Sequence, residues 1–132
     1  MSKFIYSPYF LITVLLVCCQ QRREAVQIPS KRDCEGADAV ERLPWLKQKA
    51  SALKNESLQY ECMGKNECFF IARGKFNNQI VFQIGGCCPN GNSLTLYYKC
   101  DGSSFGNPND SIYPNEFNIS GRKILWSTTP MQ

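Results

Sequence analysis

The stretch from Cys68 to Cys100 constrains the fold of this chain more than any other. It reads CFFIARGKF, Asn77-Asn78, QIVFQIGG, CCPNGNS and LTLYYKC, so three strand-like runs are separated by two turn signals. Asparagine tolerates the positive φ that a two-residue type I′ turn demands, which makes Asn77-Asn78 a hairpin loop. Counting outward from that loop pairs Phe76 with Gln79, Lys75 with Ile80, Arg73 with Phe82 and Ile71 with Ile84, and places Cys68 opposite Cys87. Period-two alternation then puts Phe69, Ile71, Ile80, Phe82 and Ile84 on one apolar face. Arg73 and Lys75 share that face, and interrupt it towards the turn unless their stems lie along its edge. The third run carries Leu94, Leu96 and Tyr98 on one side and Thr95, Tyr97 and Lys99 on the other. Arg122 to Ser127 (RKILWS) reads as a fourth strand, with Ile124 and Trp126 on one face. The expected fold is α+β: one N-terminal helix packed on a small antiparallel β-meander of three to four strands, stapled by disulfides.

The helix is expected between Asp38 and Ser57. Asp38 with Glu41 has the spacing of a capping box, and Pro44 suits a first helical turn. Leu43, Leu46, Ala50 and Leu53 form an apolar stripe, and Trp45 is placed to pack over the sheet edge. That stripe reads as core. Asp101 to Gly121 (DGSSFGNPNDSIYPNEFNISG) reads as a long loop and is the best surface candidate for partner contact.

Eight cysteines and no histidine imply an oxidising compartment and remove the commonest general base and metal ligand together. The N-terminus agrees with export. Lys3 is the only charge before Arg22, and Tyr9 to Val17 (YFLITVLLV) is an apolar run too short to span a bilayer. Leu16-Val17-Cys18-Cys19 has the layout of a lipobox, in which a cysteine is acylated and becomes the new N-terminus. Cys19 is the better register, because the small Cys18 then precedes the cut; Cys18 is the alternative. Acylation of Cys19 leaves an even set for disulfides: Cys34, Cys62, Cys68, Cys87, Cys88 and Cys100. Residues 1–19 are therefore assigned to a lipoprotein signal peptide and lipobox, 20–37 to a polar basic tether, and 38–132 to one small α+β domain.

The charge is distributed unevenly. From Asp33 onward ten basic residues balance ten acidic ones, while Arg22, Arg23, Lys31 and Arg32 stand against Glu24 alone. Basic residues just past a lipid anchor favour an anionic membrane surface, and a neutral body is a poor footprint for nucleic acid.

Among the disulfide candidates, register counting offers Cys68–Cys87, and Cys88 is left to join Cys100, Cys62 or Cys34. The spacings lack the paired CxxC knuckles of structural zinc, so no metal site is assigned. A cysteine or serine hydrolase lacks its base, and Asp33, Glu35, Asp38, Glu41, Glu56, Glu61 and Glu67 cluster where a soluble helix and its flanks would place them. No catalytic residue and no cofactor is assigned. The sequons at Asn55, Asn109 and Asn118 would be candidate glycan sites in a eukaryotic secreted protein and carry no meaning in a bacterial lipoprotein.

Four segments together suggest a family: LPWLK from Leu43 to Lys47, the GKFNNQIVFQI hairpin, the CCPNGNSLTLYYKCDG run, and the closing KILW. Over Leu43 to Trp126 the chain resembles small cysteine-bearing lipoproteins of Bacteroidetes-type bacteria. Their layout is a lipobox, a tether, one helix, and a hairpin ending in a CC pair before another strand and a DG turn. The resemblance implies fold and location and transfers no catalytic residue. Acidic residues after the anchor mark surface export in that group, and Gln20-Gln21-Arg22-Arg23 here implies a periplasm-facing site instead.

The expected function is a membrane-anchored envelope lipoprotein acting as a non-enzymatic interaction module towards an unknown envelope protein or ligand. Tyr97 and Tyr113 are expected to be exposed on the module, beside the CCPNGNS turn and the long loop. The alternatives are a soluble, secreted, inhibitor-like disulfide scaffold, and a metal- or thiol-handling protein using Cys62, Cys68, Cys87 and Cys88.

Overall fold

The structure, a computed structural model, describes residues 28–59, 61–62, 65–66, 68–88, 95–106, 110, 113–115 and 117–129. Three helices come first among these: α1 (Lys31–Glu35), α2 (Ala39–Arg42) and α3 (Pro44–Ser57). Pro44 explains the break between the last two. It bars the preceding residue from helical backbone, and Leu43 is extended at φ −93°, ψ 108°. The apolar stripe is core as expected: Leu43, Leu46 and Ala50 are buried and Leu53 packs against them.

Two local expectations are corrected. Asp38 makes no cap; its carboxylate accepts from Arg42 Nε at 2.5 Å, because its backbone (φ −94°, ψ 17°) is not in the extended conformation of a capping residue. The capping box is one helix earlier. Ser30 Oγ accepts from Asp33 N at 3.4 Å, and Asp33 Oδ2 accepts from Ser30 N at 3.0 Å. The segment assigned to a tether through residue 37 therefore contains a capped helix, and Cys34 within it is completely buried. A single buried position in a five-residue helix leaves no periodicity to read.

A two-stranded ribbon, β1 (Glu61–Cys62) with β2 (Lys65–Asn66), leads into a four-stranded antiparallel sheet. Its strands are β3 (Phe69–Phe76), β4 (Gln79–Gly86), β5 (Leu96–Tyr98) and β6 (Ser120–Ser127), in spatial order β5-β4-β3-β6. The hairpin has the register counted from its turn, from Phe76↔Gln79 through Ile71↔Ile84, and Asn77 and Asn78 have φ of 48° and 62°. Leu94, expected in the third strand, lies outside the described residues.

The fourth strand departs from strict alternation. Trp126 pairs with Ile71 and Ile124 with Ala72, so Leu125 is an extra residue on β6. Ile124 and Trp126 consequently face opposite sides. Trp126 and Leu125 pack on the helix-side core, while Ile124 is partly exposed. A second irregularity lies between Lys123 and Ser120, where Gly121 takes φ +60°.

Both faces of the sheet are covered. On one, Ile71, Phe82 and Ile84 meet Val40, Leu43 and Leu46, and Trp45 packs edge-on to Phe82 with ring centroids 5.6 Å apart. The Trp45 indole donates to the carbonyl of Cys100 at 3.0 Å. Gly102, at φ +85°, runs beneath that indole, where a Cβ would sit 2.9 Å from Cγ. On the other face Phe76, Val81, Tyr97 and Tyr113 form a smaller core with Phe105 and Ile119. This second core corrects the expectation of exposed aromatics. Tyr97 and Tyr113 are only 4% and 8% exposed and meet edge-to-face at 5.4 Å, because the long loop folds back over the sheet.

Candidate functional site

Among the described residues, the sheet, its turns and the helices form clefts at both ends of the sheet. The larger, about 380 Å³, opens at the end of the sheet that carries the Asn77-Asn78 turn. Strand direction explains who meets there. β3 and β4 deliver Lys75 and Ile80, β5 runs antiparallel to β4 and so delivers Lys99 and Cys100 to the same end, and the chain entering α1 adds Ile28 and Lys31. Lys31 Nζ is 3.6 Å from Glu35 Oε1, both well exposed. Asp101, also at the rim, accepts from Ser103 Oγ at 2.6 Å and Ser103 N at 2.9 Å, and these bonds hold its carboxyl below the ordinary range. Lys99 Nζ lies 5.7 Å from the Phe105 ring centroid. Three lysines and two carboxylates thus line the cleft together with Ile28, Pro29 and Ile80.

The smaller cleft, about 270 Å³, lies at the opposite end, between the C-terminus of α3 and the end of β6, lined by Lys54, Leu58, Trp126 and Thr128. Among the described residues neither cleft is lined by a histidine or a free thiol. Among the described residues every buried side-chain nitrogen or oxygen has a hydrogen-bond partner. The most buried amide side chain, Gln83, accepts from Arg122 Nε at 2.6 Å.

The six cysteines among the described residues are all in disulfides. Cys68–Cys87 closes the hairpin in the counted register, with Cys87 N donating to Cys68 O at 2.7 Å. Cys88 joins Cys62 and ties the β1–β2 ribbon to the end of β4. Cys34 joins Cys100 and ties α1 to the segment after β5. The four cysteines named for metal or thiol chemistry, Cys62, Cys68, Cys87 and Cys88, are all in disulfides, so in this state none of them offers zinc a thiolate. The lipidation candidates Cys18 and Cys19 lie outside the described residues, as do 89–93 of the CCPNGNS turn. Of the acidic residues singled out from sequence, Asp33 and Asp38 both engage Arg42, Glu35 pairs with Lys31, and Glu41 pairs with Lys47 at 2.9 Å. These are surface ion pairs and not a carboxylate dyad.

Sequence reasoning missed the larger cleft, Ile28 at its edge, and an exposed aromatic elsewhere on the surface. Ile28, just ahead of the Ser30 cap, is 86% exposed, and Phe117 is 92% exposed. Phe117 sits on a turn rigidified by asparagines: Asn115 Oδ1 accepts from Phe117 N at 3.0 Å and Asn118 N at 3.2 Å, and Asn118 Oδ1 accepts from Asn115 N at 2.8 Å. The available signal was an aromatic residue between turn-forming asparagines. No family model, curated protein or solved structure matches this chain, so the functional reading rests on its own residues.

Proposed function

We propose that the chain is an envelope lipoprotein, acylated at Cys19, whose disulfide-stapled α+β body is a non-enzymatic interaction module. The observation that carries this reading is the pairing of the cysteines. Cys34, Cys62, Cys68, Cys87, Cys88 and Cys100 are consumed among themselves, and the two left over are the two in the lipobox-like Leu16-Val17-Cys18-Cys19. Three disulfides in a small domain also fit an exported, oxidising setting. With the mature chain starting at Cys19, the three helices form its N-terminal layer. The Gln20-Gln21-Arg22-Arg23 sequence that follows supports a periplasm-facing site.

The test is the intact mass of the protein from a membrane fraction, with and without reduction and alkylation. The expected result is a mass starting at Cys19 plus acyl chains, with six thiols alkylated only after reduction. Membrane association lost on Cys19→Ser, with Cys18 intact, fixes the register. An unacylated mass in the soluble fraction overturns the reading in favour of a secreted disulfide scaffold, and free thiols before reduction favour metal or thiol handling.

A further inference from the structure

The three disulfides differ in what their opening would release. Cys34–Cys100 ties α1 to the segment after β5, and Cys34 is completely buried. Cys62–Cys88 holds the β1–β2 ribbon, whose own pairing is Glu61↔Asn66 and Cys62↔Lys65, to the end of β4. Cys68–Cys87 joins residues that the backbone already holds opposite each other. The ladder runs from Phe76↔Gln79 to Phe69↔Gly86, and Cys87 N donates to Cys68 O at 2.7 Å. On the other side of β3, Phe69 N donates to Thr128 Oγ1 at 2.9 Å. Opening this bridge therefore leaves the hairpin in place. The pair is also a hydrogen-bonded one, where facing residues stand further apart than at the alternate positions, so the bridge gains less there from the native backbone. Exposure singles out the same bond: Cys87 is exposed, while the other five cysteines in disulfides are partly or completely buried.

We propose that Cys68–Cys87 is a thiol–disulfide exchange site that takes electrons from a dithiol through attack at Cys87. This goes beyond the interaction-module reading and does not depend on acylation. One thiolate of the dithiol attacks Cys87 Sγ. A bond forms between these two sulfurs as the Cys68–Cys87 bond breaks, and the electron pair leaves on Cys68 Sγ, which takes a proton from water. The backbone pairing keeps Cys68 opposite Cys87, so its return would expel a monothiol. A dithiol completes the step. Its second thiolate attacks its own first sulfur, expels the Cys87 thiolate and closes a disulfide within the dithiol. The dithiol is thereby oxidised by two electrons, and Cys68 and Cys87 are left as thiols. Cys88 stays tied to Cys62, which anchors the end of β4 while the neighbouring residue reacts. Neither partner of the other two bridges is exposed, so a thiolate reaches them more slowly.

The experiment treats the oxidised full chain with dithiothreitol at about pH 8, close to the ordinary thiol pKa, and quenches samples with iodoacetamide for peptide mapping. Cys68 and Cys87 are expected to be alkylated about tenfold faster than Cys34, Cys62, Cys88 and Cys100, with the near-ultraviolet circular dichroism of the folded chain retained. With glutathione in excess and an early acid quench, the trapped adduct is expected on Cys87. Opening of all three bridges together, of another bridge first, or only as the fold is lost overturns the proposal, as does an adduct on Cys68. A Cys68→Ser/Cys87→Ser variant separates exchange from stapling. Its four remaining cysteines are expected to be alkylated as slowly as in the parent; if they open as fast as Cys68 and Cys87 do in the parent, the pair is a staple and the proposal falls. Reduced thioredoxin at equal dithiol concentration distinguishes the source of the electrons. Opening by both reagents keeps the site and admits a protein dithiol, whereas opening by dithiothreitol alone keeps it for a small one.

Discussion

At Arg73 a charged side chain sits on the apolar face of a central strand, and the reason lies in a helix end far away in sequence. Its Nη1 donates to the carbonyls of Cys34 at 3.3 Å, Glu35, and Gly36 at 2.7 Å, groups that the C-terminus of α1 leaves without intrahelical partners. Arg73→Met keeps the aliphatic stem and removes the donors. It should lower stability by about 2 kcal/mol in urea denaturation, the scale of hydrogen bonds to a charged donor. A second residue-scale expectation concerns acid. Asp33, Asp38 and Asp101 are held below the ordinary value of 3.8 by hydrogen bonds from Ser30, Arg42 and Ser103 respectively. Lowered carboxyls contribute stability above their ordinary value and lose it as pH falls through the folded one. With no histidine in the chain, the melting temperature should be nearly flat between about pH 5 and 8 and fall below about pH 4. All three carboxylates are at the surface, so the fall should be shallow, and Asp38→Asn should make it shallower. Asn77-Asn78 shows what a residue can reveal unaided: a turn that needs positive φ at both positions fixes the register of every pair beyond it. Ser30 and Asp38 show the opposite. Both sequences permit a cap, and the choice depended on backbone angles set by contacts that spacing does not encode.

At the scale of elements the disulfides divide the work unequally. Cys34–Cys100 closes 66 residues, Cys62–Cys88 closes 26 and Cys68–Cys87 closes 19. Loop-closure entropy alone gives about 4, 3.5 and 3 kcal/mol for the three. Cys68–Cys87 should fall furthest below its figure, since it extends a hairpin already paired along its whole length, whereas nothing else links α1 covalently to the segment after β5. Replacing each pair by serines and measuring urea midpoints should rank the losses in that order, with Cys34/Cys100 the most damaging. The pairing Cys68–Cys87 was legible because both residues lie on one counted hairpin. Cys34–Cys100 was not, because its partners come together only through helix–sheet packing. The bulge at Leu125 was hidden for a related reason: ILW fits either strict alternation or one extra residue, and only the pairing with Ile71 and Ala72 selects between them.

For the whole molecule, the long loop decides whether the sheet has one core or two. Read locally, residues 101–121 look like surface, because their polar and turn-forming composition hides the few apolar groups that matter. Phe105, Tyr113 and Ile119 return to the sheet across many residues, against Phe76, Val81 and Gly74, and Phe105 N donates to Tyr97 O at 3.1 Å. Gly74 lacks a side chain where the Ile119 methyl lies. The loop is thus a structural cover with one exposed aromatic on it, and deleting it would not isolate a binding role. It would uncover Val81 and Tyr97 and compromise the fold. Single substitutions separate the two roles. Tyr113→Ala empties a site 8% exposed and removes the hydroxyl that accepts from Tyr97 N at 3.2 Å, so it should cost about 3–5 kcal/mol in chemical denaturation. Tyr113→Phe removes the hydroxyl alone and should cost about 1 kcal/mol. Phe117→Ser, at a site 92% exposed, should stay within about 0.5 kcal/mol of the parent. If Phe117→Ser were as damaging as Tyr113→Ala, the aromatic would be part of the cover and unavailable to any partner; equal stability with altered surface binding would assign it to recognition.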